Sequence, residues 1–296
     1  MKYSTKDIEN IIYKFLPEEE GYQKTVLEAM NYAFKAGGKR LRPLMMKLCY
    51  DMFATDGEDG AVVEPFMAAI EMIHTYSLIH DDLPALDNDE LRRGMPTVHV
   101  KYGEDMAILA GDGLLNYAYE TAGKAFLTQP CCEKIEKAYI MLTKRPGIYG
   151  MIGGQTLDVL MSGKEINQDQ LEYIYKNKTS ALIECSMTIG AILAGASDDD
   201  VEKIRTVAEA VGMAFQVQDD ILDIIGDVDK LGKPVLSDEK NAKYTYATIH
   251  GVDKAKEYVN NMSVKANTIL DGMQASNEEA KNSLMTLIKE LIDRDK

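Results

Sequence analysis

Residues 65–90 read PFMAAIEMIHTYSLIHDDLPALDNDE. From Phe66 to Ile79 the stretch is mostly apolar, shows no period-two alternation and starts just after a proline, so it reads as a helix. A charge is expensive to place in such surroundings. Yet Asp81 and Asp82 follow at once, with Asp87 shortly after. The pattern returns in QVQDDILD, residues 216–223, where Asp219, Asp220 and Asp223 follow another apolar helical stretch. Crowded carboxylates repel one another and favour protonation unless something positive sits between them. Hard divalent cations such as Mg2+ take oxygen ligands and usually share them with phosphates. Two such clusters facing each other would make a metal-filled mouth for a phosphate group.

Working outward, helix dominates. Apolar runs around 25–35, 43–54, 65–80, 104–127, 133–143, 170–194, 201–225 and 253–294 carry helical character, and Ala, Leu, Met, Glu and Lys are abundant. Pro17, Pro43, Pro65, Pro130 and Pro146 fit helix starts; Pro84, Pro96 and Pro234 fit loops. No linker or low-complexity segment interrupts the chain, so residues 1–296 are expected to form a single all-α domain, a helical bundle.

The net charge of -15 on 296 residues, with no long basic stretch, argues against nucleic acid as a partner. It also repels anions, so bound metals and local Lys/Arg islands must reverse the field at any phosphate site. The amino terminus has no apolar signal region and no stretch reaches about 18 uninterrupted apolar residues. Cys49, Cys131, Cys132 and Cys185 include no Cys-x-x-Cys pair. A cytoplasmic protein with reduced, structural thiols and no stable membrane insertion is the expectation.

Spacing then places the candidate residues. Asp219 and Asp223 are four apart and share one helix face, to which Gln216 adds an amide. Asp81 and Asp87, six apart, would point about 120° away from each other on a continuous helix. Pro84 disfavours helix at Leu83, so the helix is expected to end there and Asp87 to fold back beside Asp81. His74 lies two turns before Asp81 on nearly the same face. Arg92 and Arg93 suit a polyanion, because the guanidinium fork bonds phosphate oxygens in pairs. Gly37-Gly38-Lys39-Arg40-Leu41-Arg42-Pro43 is a basic helix entry, where backbone amides with Lys39 and Arg42 make an anion site. Lys178-Thr179 sits in a helical stretch whose bland reading is ordinary surface. Gly226 to Pro234 breaks the helix of the second cluster and carries Lys233, with Lys243 beyond it; lysines there can close over a bound phosphate. An EF-hand at DVDKLGKPVLSD is rejected, because Leu231 takes position five, Asp238 replaces the terminal Glu and Pro234 disturbs the loop.

Together these motifs resemble the trans-prenyltransferase (polyprenyl synthetase) family, from about Tyr22 to the end. Asp81 to Asp87 is similar to its first aspartate-rich motif in the longer DDxxxxD form, and Asp219 to Asp223 to its DDxxD. The order GGKRLRP, His74, first motif with RRG, KT, FQ before the second motif, then GK also agrees. The resemblance implies an isoprenoid-synthase-type bundle around a deep central cavity, a homodimer, and a head-to-tail condensation. An allylic diphosphate ionises, isopentenyl diphosphate attacks it and a proton is lost, with the released diphosphate as acceptor. Three Mg2+ are implied, with Mn2+ as the alternative ion. Asp81, Asp87 and Asp219 resemble direct metal ligands, supported by Asp82 and Asp223. Arg92, Lys178, Lys233 and Lys243 resemble ligands of the allylic diphosphate; Lys39, Arg42, His74 and Arg93 those of isopentenyl diphosphate. The developing cation needs dipoles rather than a nucleophile, which the Lys178 carbonyl, Thr179 hydroxyl and Gln216 amide oxygen can supply. One departure stands out: Lys243-Tyr244-Thr245-Tyr246-Ala247 replaces the family's Thr-Tyr-Pro.

Product length is expected to depend on the helix leading down from Asp81. Tyr76 lies five residues upstream, about 7.5 Å along the axis, and Ser77 shares the Asp81 face more closely. An aromatic at that fifth position resembles bacterial farnesyl diphosphate synthases, so a C15 product is expected, with C20 the alternative. A terpene cyclase would not need a second diphosphate site. A non-catalytic subunit of a heteromeric synthase would be expected to carry degenerate motifs.

Overall fold

The structure is a computed structural model and describes residues 2–55, 60–129, 131–225 and 244–292. In chain order its helices are α1 (Thr5–Tyr13), α2 (Lys24–Lys35), α3 (Leu41–Phe53), α4 (Glu64–Asp81), α5 (Val98–Tyr102), α6 (Glu104–Gly123), α7 (Ala125–Thr128), α8 (Glu133–Lys144), α9 (Met151–Met161), α10 (Gln168–Ile174), α11 (Ser180–Ala194), α12 (Asp198–Ile225), α13 (Tyr246–His250), α14 (Val252–Asp271) and α15 (Glu278–Ile292). A two-residue hairpin, β1 (Leu91–Arg92) against β2 (Met95–Pro96), follows α4. The fold is all-α.

Local chemistry sets several of the boundaries. Ser4 with Asp7, Asn167 with Gln170 and Thr245 with Thr248 form capping boxes that satisfy first-turn N–H groups. Pro65 lies in the first turn of α4, where its missing N–H costs nothing. Asp198, Asp199 and Asp200 open α12, as a helix start should, with the Ser197 hydroxyl accepting from the Asp200 N–H at 3.2 Å.

α11 is the central element, buried along nearly its whole length and packed against α3, α4, α8 and α12. α6 runs along α4, and α14 along α12. Buried side chains from α1 to α15 form one contiguous apolar cluster. No helix among the described residues is long and apolar enough to cross a membrane. All four cysteines are free, with Cys49 and Cys185 buried.

The structure departs from the sequence reading in several places, and α1, α5 and α13 lie outside the expected helical runs. The stretch 170–194 is not one regular helix, because a π-helical turn, Tyr175–Thr179, separates α10 from α11. The run 253–294 divides at 272–277, where the Ser276 N–H donates to the Met52 carbonyl at 2.9 Å and ties the break to α3. Helix α9 was hidden by Gly153-Gly154, which lowers intrinsic propensity. Pro17 lies in an irregular connection and Pro146 in a turn rather than at helix starts, and Pro96, expected in a loop, lies in β2. Pro130 and Pro234 fall outside the described residues.

Candidate active site

The C-terminal end of α4 presents the first aspartate cluster. The helix stops at Asp81, with Asp82 as its cap. The chain then turns back. The Asp87 N–H donates to the Asp81 carbonyl at 2.9 Å, while Leu86 and Asn88 both donate to the Leu83 carbonyl. Asn88 takes a φ of 53°, a left-handed conformation that Asn tolerates.

Asp81 and Asp219 open onto a single cavity of ≈ 710 Å³. Arg42, His74, Lys178, Thr179 and Gln216 share its wall with them. Apolar side chains, among them Leu115, Met151, Leu182 and Phe215, line the same cavity, and Tyr76 and Ser77 also face it. The cavity therefore offers both charged groups that suit phosphate oxygens and an apolar wall that suits a hydrocarbon chain.

The remaining acids are placed differently. Asp82, Asp87 and Asp223 do not line this cavity. Asp82 is buried and accepts from Arg92 Nε at 2.8 and 2.9 Å, with a further short contact to the same guanidinium. Asp223 is buried on α12. Among the described residues no three His, Cys, Asp or Glu side chains stand close enough together to hold a cation. Burial, against the pull of Lys178 and with Asp87 and Asp82 nearby, pushes the Asp81 carboxyl up to about 6.

Asp220 has a separate role. It is 2 % exposed and accepts from the Tyr175 hydroxyl, from Gln216 Nε2 at 3.2 Å and from the Tyr246 N–H at 3.2 Å. It thus joins α12 to the π-turn and to α13.

The cationic side chains divide between the cavity and a smaller pocket beside it. His74, Glu71, Asp82, Arg92 and Arg93 line that second pocket. Burial holds His74 well below the usual imidazole range, and Arg42, Arg93, Arg92 and Arg40 push the same way, so the ring is neutral. Arg92 is drawn down by burial, but Asp82 more than reverses this. Arg93 donates to the Gly37 carbonyl. Arg42 Nε is buried without a hydrogen-bond partner, and Lys39 is exposed and lines neither pocket. Lys233 and Lys243, expected at this site, lie outside the described residues.

The π-turn sets the far wall. Such turns arise from an extra residue inside a helix and often mark functional sites. Lys178 Nζ pairs with Asp158 at 2.5 Å. Burial lowers the Lys178 ammonium, but Asp158, with Asp81 and Asp87 behind it, leaves it raised. The Thr179 hydroxyl donates to Gln216 Oε1 at 2.5 Å, which fixes the amide with its nitrogen toward Asp220.

Two residues here escaped the sequence reading. Gln155 Nε2 donates to Asp81 Oδ1 at 2.8 Å, and Asp158 holds Lys178. Both come from α9, and their three-residue spacing on an otherwise apolar helix was the available signal. Gly154 allows the approach, since a Cβ there would stand 2.2 Å from the Lys178 backbone nitrogen. Gly154→Ala is therefore expected to force α9 off the π-turn at a cost of about 1–3 kcal/mol. Urea denaturation reads this, and an unchanged midpoint would mean that α9 yields freely.

The sequence model described as polyprenyl synthetase matches residues 23–288. A farnesyl diphosphate synthase of Geobacillus stearothermophilus is 43% identical over 255 residues, covering 84% of this chain and 83% of its own. Among solved structures, a geranylgeranyl pyrophosphate synthetase from Pyrococcus horikoshii Ot3 superposes with a TM-score of 0.85 at 30% identity, covering 98% of this chain and 95% of that one. A Helicobacter pylori geranyltransferase, complexed with magnesium and isoprenyl diphosphate, gives 0.84 at 29% identity and covers 99% of both chains.

Proposed function

The chain belongs to the polyprenyl synthetase family and is a prenyltransferase, and from that premise we propose that it condenses isopentenyl diphosphate with dimethylallyl or geranyl diphosphate to give (2E,6E)-farnesyl diphosphate. The observation that carries this reading is the single cavity lined both by Asp81, Asp219, Arg42 and Lys178 and by an apolar wall that includes Tyr76. The family match spans residues 23–288, which supports treating the chain as one polyprenyl synthetase domain.

In the reaction the allylic C1–O bond breaks and diphosphate leaves with the electron pair. The double bond of isopentenyl diphosphate then attacks C1, and a proton passes to the released diphosphate. In this reading Lys178, which lines the large cavity, and Arg92, which lines the smaller pocket, hold the leaving group, while Arg42, His74, Arg93 and Lys39 hold the second diphosphate. Neutral His74 serves as a hydrogen-bond donor there rather than as a charge. Thr179 and Gln216 present oxygen dipoles to the developing cation, and the Lys178 carbonyl adds a third. Their mutual hydrogen bond limits reorganisation as charge appears.

The acids fit a magnesium site. Their oxygens are hard donors, and burial, aided by Asp87 and Asp82, keeps the Asp81 carboxyl raised against the pull of Lys178 and Arg92, a cost that a bound cation would relieve. Asp81, Asp87 and Asp219 would hold three Mg2+, or Mn2+ in their place, with Asp82 and Asp223 in support. Mg2+ is commonly bound through one or two carboxylates plus substrate phosphates, so a preassembled three-acid cage is not required. Such ions would neutralise charge on the departing diphosphate.

A C20 product is the second reading, because the small Ser77 side chain shares the wall with Tyr76 and leaves room. Tyr76 is 6 % exposed, and burial pushes its hydroxyl up to about 12, so it faces the chain as a neutral ring. Tyr76→Ala is expected to shift the main product from C15 to longer chains; an unchanged C15 product would remove Tyr76 from the floor. Labelled isopentenyl diphosphate with either allylic primer tests the activity itself. Product from farnesyl diphosphate alone would favour a terpene cyclase, and Mg2+ binding without turnover would favour a non-catalytic subunit.

A homodimer is also proposed. Ile108 and Leu109 on α6 are 42 % and 50 % exposed, and Ile148, Tyr149, Ile152, Val159 and Leu160 are exposed nearby in sequence on and before α9. Ile152, Val159 and Leu160 also line the cavity, so a second copy covering them would close its apolar side. The cytoplasm remains the proposed compartment.

A further inference from the structure

His80 also lines the cavity, at the last turn of α4 beside Asp81, and no role in the reaction has been given to it. Tyr76 and His80 are four apart on α4 and form one stripe; Ser77 and Asp81 form the neighbouring one. The two rings of the first stripe meet edge to face, with centroids 5.8 Å apart. His80 is held from the other side by α6. Its Nε2 lies 3.1 Å from the Ile108 carbonyl and 4.0 Å from Asp112. The ring also occupies the space where a side chain at position 111 would start: a Cβ on Gly111 would stand 2.0 Å from Nε2. Gly111 is in the interior of a helix and has an ordinary backbone, so its lack of a side chain serves close approach rather than a turn.

We propose that His80, seated on Gly111 and tethered to the Ile108 carbonyl, is a specificity-determining residue that buttresses Tyr76 and so fixes product length. The proposal rests on the prenyl-elongating reading above and extends it from one ring to a three-part stop. Two substitutions move the stop in opposite directions. His80→Ala removes the buttress, and Tyr76 gains room to swing off the chain path. Gly111→Ala puts a methyl group where the imidazole lies and drives that ring toward Tyr76 and the cavity. The substitution favours the helix itself, since Ala exceeds Gly in helix propensity. It also leaves every proposed metal and diphosphate ligand in place.

The test is product analysis of the full chain with labelled isopentenyl diphosphate and geranyl or dimethylallyl diphosphate, after circular dichroism has shown each variant folded. Wild type is expected to give C15, His80→Ala a main product shifted to C20, and Gly111→Ala a product mixture shifted toward C10. His80→Phe, which keeps a ring at that position, is expected to stay nearer C15 than His80→Ala. Should His80→Ala not fold, His80→Asn, which has no second aromatic edge to offer Tyr76, is read in its place with the same expected shift. Wild-type C15 with unchanged C15 from these ringless variants overturns the proposal while leaving the function intact. A fall in turnover without a change of length overturns it equally, because a merely structural role would do that. A wild-type chain that elongates no primer overturns both readings.

Discussion

Asp219→Asn is expected to lower kcat/KM for isopentenyl diphosphate incorporation by about 10³-fold while leaving the melting temperature nearly unchanged. Removing one group that stabilises transition-state charge typically costs 10²- to 10³-fold, and loss of a carboxylate from a cation site belongs at the upper end. About 10³-fold corresponds to roughly 4 kcal/mol in the barrier. Asp219 lines the cavity with Asp81, so its charge acts in the space where the diphosphate would sit. The fold has less to lose, since the isosteric amide fills the same volume. Steady-state kinetics at saturating Mg2+ with a thermal melt checks both halves. Activity within tenfold of wild type would remove Asp219 from the ligand set.

Its neighbour gives the control. Asp220 is the second letter of the same motif, but its oxygens are taken by Tyr175, Gln216 and the Tyr246 N–H. Asp220→Ala leaves those buried donors without an acceptor, at about 1–3 kcal/mol for each one left unsatisfied. Its expected signature is lost stability, with any loss of rate following from it. The pair separates a residue that acts on substrate from one that holds the wall.

The same contrast explains what was legible in the sequence. Aspartates after apolar helices are conspicuous because a charge there needs a reason, and Pro84 announced the helix end that lets Asp87 turn back. Ser77 followed from helical arithmetic, and Tyr76 from the family resemblance. The π-turn did not show, because a single inserted residue barely alters the apolar pattern of 170–194. Gln155 and Asp158 were hidden behind Gly153-Gly154, which reads as a helix breaker until the backbone of Lys178 is seen to need that space. His80 was indistinguishable from an ordinary polar residue at the foot of a motif. Pairings across the bundle, such as Lys178 with Asp158 and Arg145 with Glu184, depend on which helices meet. Sequence spacing carries no such information.

Arg40 is the strongest case of that kind. In GGKRLRP it looks like one cation among three, between Lys39 and Arg42. The structure separates it from them, because Arg40 is 2 % exposed and faces inward. Its guanidinium bonds Glu71 at 2.9 Å, Glu9 at 3.2 Å and the Phe34 carbonyl at 2.8 Å, joining α4, α1 and α2 at the entry to α3. It holds this position from a left-handed backbone, φ 49°, a conformation usually left to glycine. Glu71 is itself 3 % exposed. Breaking a buried ion pair by removing one partner strands the other charge, and the cost is about 3–5 kcal/mol. Arg40→Met should therefore be among the most destabilising single changes in the chain, lowering the urea midpoint with no change in slope. Arg40→Met/Glu71→Met should recover much of the loss, because two apolar side chains can replace a buried pair without stranding either charge. If the double variant is no more stable than Arg40→Met alone, the cost lies in the αL backbone or the Phe34 bond rather than in Glu71. If Arg40→Met costs less than about 1 kcal/mol, in the range of an exposed pair, the buried clamp does not hold these helices together.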